Sequence, residues 1–381
     1  MKKITLNLTL LLLSLLHLSL CAATKFGNME TIRLESGLLK QSRQLLVFLP
    51  ADYATSSQLF PVLYITDGDI QGPHTAGTID FLAKFEQAPA MIVVGIVNPP
   101  QSRTAELTLT AQKNLQAGSL SGADLFLRHV EQEVIPLIKS RYRTSAYQAL
   151  AGTSHGGQFA INAFVKSPDL FDGVIAISPS LYWDNQQLLA VAETALQQQK
   201  LQGRLFISIA QDQPIMTEAW QKFVDLTGKY PSAKLDVAAK VFTDESHDST
   251  TLVGQYYGLK HLFQHWAIPD QQQTLADLQA IYQARATLIG VVQPIPQDRA
   301  NGYGQWLQYS NRQQEALELL LWNRQHYPQS FEAHKALINA YLYFKRPDAA
   351  QAAVADAKKL LTGLNAEQKA ELATLLAAPS N

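Results

Sequence analysis

The sequence predicts an α/β fold, in which a mostly parallel sheet carries helices on both faces, followed by an all-α tail. As far as about residue 268, short apolar runs rich in β-branched residues alternate with longer segments of helical periodicity. Beyond that point the strand signals stop. Runs that are apolar throughout are typical of parallel strands buried on both faces, and strands that alternate with helices predict a parallel sheet.

The predicted elements of this first domain, residues 24–268, follow from the spacing of apolar residues. Short, mostly apolar runs predict strands at residues 45–49, 61–65, 91–97, 147–151, 173–178, 204–210 and 235–242. Apolar residues that recur every three or four positions predict helices at residues 124–140, 156–166, 217–228 and 252–266.

The remainder of the chain is predicted to be helical, with a linker over residues 269–296 and a repeat region over residues 297–381. A 34-residue offset aligns Ala316 with Ala350 and Leu320 with Val354, and this is the period of a tetratricopeptide repeat. A helical extension with accidental periodicity is the alternative. Because fewer than three repeats rarely stand alone, we expect the tail to pack on the first domain. It is also a candidate docking surface for a protein partner.

Residues 1–23 are predicted to be an export signal. Lys2 and Lys3 precede a Leu-rich run that ends in Cys21-Ala22-Ala23, and a basic start, a short apolar run and small residues describe a cleaved secretory signal. The run is short for a membrane span, so we expect a soluble periplasmic or secreted protein without a transmembrane segment. A second interpretation makes Cys21 a lipidated first residue, although Leu20 stands where a small residue is expected.

Composition and charge exclude several classes of partner. The chain of 381 residues has a net charge of −1 and no block of Lys or Arg, so nothing in it predicts binding to nucleic acid or to an anionic membrane. Cys21 is the only cysteine. Cleavage after Ala23 would leave no thiol in the mature protein, which excludes disulfides and thiolate-ligated metal sites.

The run Gly152-Thr153-Ser154-His155-Gly156 has the G-x-S-x-G pattern of a nucleophile elbow. It lies between a predicted strand and a predicted helix, which is the setting that this sharp turn requires. We therefore predict that Ser154 is a nucleophile. The backbone N–H of His155 is predicted to be one donor to the oxyanion that forms during attack.

A serine attacks efficiently only when a base removes its proton, so a histidine must follow Ser154 in the chain. His247 is the candidate because it lies in a loop after the strand 235–242, whereas the other histidines precede the serine, adjoin it or lie in predicted helices or the tail. The acid that orients the imidazole is predicted to be Asp212, after the strand 204–210. The alternatives are Asp184, Glu218, Asp244, or a serine–histidine dyad without an acid.

The second oxyanion donor is expected just after the strand 61–65. The N–H of Asp69 or of Ile70 is the candidate, and the sequence does not choose between them. Gly68 permits a tight turn there, and Asp67 is predicted to brace the turn by accepting backbone hydrogen bonds.

At these residues the chain resembles the putative-esterase branch of the α/β hydrolases, which includes enterochelin-type siderophore esterases, S-formylglutathione hydrolase-like enzymes and feruloyl esterases. The matching stretches are residues 60–68, 152–157, 178–184 and 245–247. The resemblance covers roughly residues 30–266, and some members carry a tetratricopeptide-like tail. It implies an α/β-hydrolase fold and hydrolysis of a small-molecule ester through an acyl-enzyme, with no metal and no organic cofactor.

One segment departs from the pattern of that family. In the family this segment usually reads Asn, followed by Arg-x-Arg-Asp-Leu-Thr-Pro. Here Ala105, Glu106 and Leu109 replace the second Arg, the Asp and the Pro. Arg103 is therefore a candidate substrate contact, and the alternative is an ion pair between Arg103 and Glu106 that braces the loop. Trp183 is a candidate for the substrate pocket, with a place in the core as its alternative.

The preferred function is that of a serine esterase. The alternatives are a periplasmic siderophore-lactone esterase, an acyltransferase that uses the same residues, and a non-catalytic binding module that uses the helical tail.

Overall fold

The structure is a computed structural model that describes residues 28–109, 120–269 and 273–375. The predicted export signal, including Cys21, lies outside the described residues. The chain divides into two compact units between Gln264 and His265. Of the helices in the described ranges, none is long and apolar enough to cross a bilayer.

The first unit is built on a sheet of eight described strands. Their bounds are β1 (Met29–Ser36), β2 (Gln41–Phe48), β3 (Phe60–Thr66), β4 (Ile92–Ile96), β5 (Thr144–Thr153), β6 (Gly173–Ile177), β7 (Gly203–Ile209) and β8 (Leu235–Val241). The spatial order is β1-β2-β4-β3-β5-β6-β7-β8. Strands β3 to β8 are mutually parallel, and β1 and β2 form an antiparallel edge. The prediction of a mostly parallel sheet is confirmed.

Helices occupy the connections between these strands. Their bounds are α1 (Gly68–Lys84), α2 (Pro100–Leu107), α3 (Gly122–His129), α4 (Ile135–Arg141), α5 (His155–Lys166), α6 (Trp183–Gln197), α7 (Pro214–Lys229) and α8 (Thr250–Leu262). A π-helical turn, Val130–Val134, joins α3 to α4, so the single helix predicted there is interrupted. Pro136 lies just beyond this turn and cannot donate the regular helical hydrogen bond.

The helices cover both faces of the sheet. Gly258 and Gly254 of α8 pack closely on Ile175 and Ile177 of β6, respectively. A Cβ atom on either glycine would overlap the isoleucine side chain. Val174 belongs to the same apolar cluster as residues of α5. Because successive residues of a strand point to opposite faces, α8 covers one face of β6 and α5 covers the other.

The second unit is all-helical, as the sequence predicts. Its described helices are α9 (Leu275–Ile289), α10 (Gln297–Tyr309), α11 (Gln313–His326), α12 (Phe331–Tyr343), α13 (Pro347–Leu360) and α14 (Ala366–Thr374). Helix α10 packs on α11 and α12, and α12 packs on α13. Ala316, Leu320, Ala350 and Val354, the positions aligned by the 34-residue offset, are all buried.

Candidate active site

The turn between β5 and α5 holds Ser154 in a strained conformation. Its backbone has φ 60° and ψ −120°, a region that residues other than glycine rarely occupy. A Cβ atom on Gly152 would lie 2.2 Å from the Gly156 carbonyl oxygen, and one on Gly156 would lie 2.2 Å from Thr66 Oγ1. Only glycine fits at these two positions, so the sequence G-x-S-x-G and the tight turn depend on each other.

His247 and Asp212 meet on neighbouring loops at the same edge of the sheet. Asp212 follows β7 and His247 follows β8, and these strands are parallel neighbours. His247 Nδ1 lies 2.5 Å from Asp212 Oδ1, and Asp212 Oδ2 accepts a hydrogen bond of 3.3 Å from the Ala210 N–H. The Asp212 side chain is 2% exposed, against 35% for that of His247. Because Asp212 engages Nδ1, Nε2 is the imidazole nitrogen available for proton transfer.

A second hydroxyl, not singled out by the sequence, lies beside Ser154. Ser154 Oγ and Ser180 Oγ are 3.3 Å apart, and the Ser180 N–H donates to the Ser154 carbonyl oxygen at 3.1 Å. Ser180 is 2% exposed and follows β6, the strand next to β5. Over the described ranges, no hydrogen bond joins Ser154 to His247; such contacts often form only in the substrate complex.

The N-termini of α1 and α5 lie side by side at Ser154. Ile65 of β3 pairs with Ala151 of β5, and a Cβ atom on Gly156 would lie 3.4 Å from Asp67 Oδ2. Both helices therefore begin at one point of the sheet edge. This arrangement favours negative charge there, because the first N–H groups of a helix have no partner within it.

The backbone N–H groups predicted to bind the oxyanion lie at these two helix starts. The Ile70 N–H donates to the Asp67 carbonyl oxygen at 3.0 Å, which leaves Asp69 as the better of the two candidates on α1. Among the hydrogen bonds of the described residues, none is donated by the N–H of Asp69 or of His155. The N–H of Asp69 in α1 and that of His155 in α5 are therefore both available to bind an oxyanion.

Sequence comparison identifies the family. Residues 36–248, more than half of the chain, match the family described as Putative esterase. The chain belongs to this esterase family. It is 30% identical to a siderophore triacetylfusarinine C esterase of Aspergillus fumigatus over 158 residues, 39% of this chain and 54% of that protein. A siderophore enterobactin esterase of Emericella nidulans is 39% identical over 74 residues, 19% of this chain and 24% of that protein. The chain thus spans about half, or less, of the length of these curated relatives.

Solved structures of esterase-family and related proteins share the fold. An IroE-like serine hydrolase from Shewanella oneidensis superposes with a TM-score of 0.65 and 31% identity, over 79% of this chain and 100% of that chain. The enterobactin esterase FES of Shigella flexneri superposes with a TM-score of 0.53 and 22% identity, over 64% of this chain and 61% of that chain. The α/β-hydrolase fold predicted from the sequence is confirmed.

The loop that departs from the usual esterase-family pattern forms different ion pairs from those expected. Arg103 donates through Nε and Nη2 to the two carboxylate oxygens of Asp67, at 2.5 and 2.8 Å, and these hydrogen bonds raise the pKa of Arg103. Glu106 pairs with the buried Arg43 instead. The alternative of an Arg103–Glu106 ion pair is therefore wrong. The Asp67 carboxylate binds a guanidinium, while the Asp67 backbone carbonyl oxygen accepts hydrogen bonds from the N–H groups of Ile70 and Gln71. The sequence could not show this, because Asp67 and Arg103 are brought together by the packing of neighbouring strands.

Trp183 lies against the residue that follows the nucleophile. The rings of Trp183 and His155 are 4.7 Å apart in an edge-to-face arrangement, and burial lowers the pKa of His155. The residues Asp184–Gln186 after Trp183 all have positive φ, so a strained segment borders the site. The structure thus places Trp183 beside the elbow, and its contact with substrate stays a prediction.

Proposed function

We propose that this chain is a serine esterase that cleaves carboxylic esters through an acyl-enzyme. Ser154 is the nucleophile, His247 the general base and Asp212 the acid that orients it. The observation that carries the proposal is the contact of His247 with the buried Asp212, on the loops after β8 and β7. Ser154 lies at the same edge of the sheet, on a strained turn.

In the proposed reaction, His247 Nε2 takes the proton of Ser154 Oγ as this oxygen attacks the ester carbonyl carbon. His247 then gives the proton to the leaving alcohol, and Ser154 carries the acyl group. Water attacks the acyl-enzyme with His247 again as base, which releases the carboxylic acid and restores Ser154. Asp212 stabilises the imidazolium ion that forms in both steps.

Negative charge develops on the carbonyl oxygen of the ester in each step. The N–H groups of His155 and Asp69, at the starts of α5 and α1, are the proposed donors to it. Donors fixed by helices need no reorganisation when the charge forms, and one such donor is typically worth about 10²- to 10³-fold in kcat.

The test combines covalent labelling with an ester assay. The full chain is treated with a fluorophosphonate and assayed with p-nitrophenyl acetate and butyrate. We expect label on the peptide that contains Ser154, and loss of turnover in step with labelling. Protein that is neither labelled nor active would contradict the proposal and favour the non-catalytic binding module. Diversion of the acyl group to an added alcohol, at the expense of hydrolysis, would indicate an acyltransferase.

For the substrate, we propose a siderophore ester or lactone. Support comes from two relatives named as siderophore esterases, from Aspergillus fumigatus and Emericella nidulans, and from a relative named as a ferri-bacillibactin esterase, from Bacillus subtilis. The measurement is kcat/KM for a catecholate trilactone against p-nitrophenyl butyrate. Faster hydrolysis of the simple ester than of the trilactone would contradict this choice.

We further propose that the protein is exported, on the strength of the signal pattern in residues 1–23. The mass of the mature protein tests this proposal, since cleavage after Ala23 gives a chain that begins at Thr24. A lipid adduct on Cys21 would support the lipoprotein alternative, and an intact N-terminus in the exporting host would contradict both.

For the tail, we propose a tetratricopeptide-like arrangement that binds a protein partner. A Cβ atom on Gly304 would lie 2.5 Å from Leu320 Cδ2, which fits the small-against-large packing of such repeats. Trp306, Tyr309 and Tyr343 are exposed, and aromatic residues are enriched at protein interfaces. A partner that co-purifies with the wild-type chain but not with Trp306→Ala would support this role. Equal recovery of the partner with the wild-type chain and with the variant would contradict it.

A further inference from the structure

A chain of buried polar contacts joins the antiparallel edge of the sheet to the turn before α1. Arg43 of β2 donates through Nη2 to Glu106 Oε1. Glu106 Oε2 accepts from Asn98 Nδ2 at 3.1 Å, and Asn98 Oδ1 accepts from the Asp67 N–H at 3.0 Å. Arg43, Asp67, Asn98 and Glu106 are 1%, 4%, 5% and 7% exposed, so water does not compete for these contacts.

This chain of contacts fixes which way the Asn98 amide faces. The amide NH2 group can only donate hydrogen bonds and the amide oxygen can only accept them. The Glu106 carboxylate therefore holds the NH2 group toward itself, and the amide oxygen faces the Asp67 N–H. Arg43 balances the charge of this carboxylate, which would be unfavourable to bury alone.

Asp67 is the residue that the chain of contacts holds in place. It has φ 54° and ψ 45°, a left-handed conformation that persists in a residue other than glycine only when the surroundings enforce it. Asn98 binds its backbone N–H and Arg103 binds its carboxylate. The Asp69 N–H, the proposed oxyanion donor, follows two residues later.

Gly68, between Asp67 and Asp69, packs against β4 and further restricts the backbone of this turn. A Cβ atom on Gly68 would lie 2.2 Å from the carbonyl carbon of Gly95 in β4, so the turn already contacts the backbone of the neighbouring strand. With β4 on one side and Asn98 bound to Asp67, the path of the chain from Asp67 to Asp69 is determined.

We propose that Asn98 is a positioning residue for the oxyanion turn, and that Glu106 sets the orientation of its amide. This inference rests on the proposed ester hydrolysis. Asn98 does not touch the substrate; it acts through Asp67 on the direction of the Asp69 N–H. Because this donor binds charge that exists only in the transition state, its displacement lowers kcat and leaves substrate binding unchanged.

The test compares Asn98→Ala with a matched control, Asn162→Ala. Asn162 is equally buried and donates to Asp124 Oδ1 at 3.3 Å, away from the oxyanion turn. We expect Asn98→Ala to lower kcat by about 10- to 100-fold, as misplaced groups do, with KM unchanged. The inhibition constant of butylboronic acid, which forms a tetrahedral adduct with the serine, should rise by the same factor. The control should lower Tm only.

A second variant serves if Asn98→Ala does not fold. Asn98→Asp keeps the size of the side chain and an oxygen for the Asp67 N–H, but sets a carboxylate against Glu106. The other charged groups along these contacts are Arg43, which pairs with Glu106, and the Asp67 carboxylate, which pairs with Arg103. A proton shared by the two carboxylates restores a donor toward Glu106. The ratio of the variant's kcat to that of the wild type should therefore rise as pH falls, and a constant ratio below unity would contradict the inference.

The outcomes separate this inference from the proposed function. If the wild-type protein is active and Asn98→Ala has the same kcat and the same boronate affinity, the positioning role is overturned and ester hydrolysis still stands. A wild-type protein without labelling or turnover would overturn both.

Discussion

Replacing Ser154 with alanine should lower kcat by at least about three orders of magnitude and abolish labelling by a fluorophosphonate. The side chain removed is the only group that forms the covalent intermediate in the proposed reaction. The strained turn persists, because its shape depends on Gly152 and Gly156 rather than on the serine hydroxyl. The measurement is single-turnover acylation with p-nitrophenyl butyrate, with Tm as the check that the fold is intact.

The neighbouring hydroxyl supplies the control for this prediction. Ser180 Oγ lies 3.3 Å from Ser154 Oγ, so a probe that reacts with any serine in the site could reach either residue. Ser180→Ala should keep the label on Ser154. If Ser180→Ala abolished labelling and Ser154→Ala did not, the nucleophile would be Ser180 and the elbow assignment would be wrong.

The sequence predicts the central strands because they are buried on both faces. Strands β3 to β7 appear as short, mostly apolar runs, and such runs predict buried strands. Strand β1 was missed because its apolar residues alternate with Glu30, Arg33 and Glu35, as is usual at an antiparallel edge with one exposed face. Helix α1 was missed because Gly72 and Pro73 interrupt its pattern, and its packing against β4 and α8 is a tertiary contact.

In the candidate site, too, some features could be predicted from local sequence and others could not. Ser154, His247 and Asp212 are predictable because their order in the chain and their positions after particular strands follow from local sequence. The contacts that Ser180 and Asn98 make could not be predicted, because they depend on which strands are neighbours. For the same reason, the sequence could not show that Arg103 pairs with Asp67 instead of Glu106. Partners distant in the chain cannot be ranked without the order of strands in the sheet.

Replacing Asp212 with asparagine should lower kcat by about 10³- to 10⁴-fold while leaving Tm nearly unchanged. The substitution keeps the shape of a side chain that is 2% exposed. However, the asparagine amide can donate to His247 Nδ1, which places the proton on Nε2 and removes the base that Ser154 needs. The measurement is kcat/KM for p-nitrophenyl butyrate as a function of pH. Activity should rise at high pH as hydroxide substitutes for the missing base.

Asp244→Asn is the matched control, because Asp244 is an alternative acid in the sequence and is exposed in the loop before His247. It should retain wild-type kcat, since Asp212 Oδ1, 2.5 Å away, already engages His247 Nδ1. Equal losses in the two variants would mean that the net negative charge of the two loops, rather than a specific hydrogen bond, supports the imidazolium. Loss in Asp244→Asn alone would transfer the role of orienting acid to Asp244. Loss in Asp212→Asn alone, with an unchanged Tm, would identify the buried carboxylate as the group that sets the His247 tautomer.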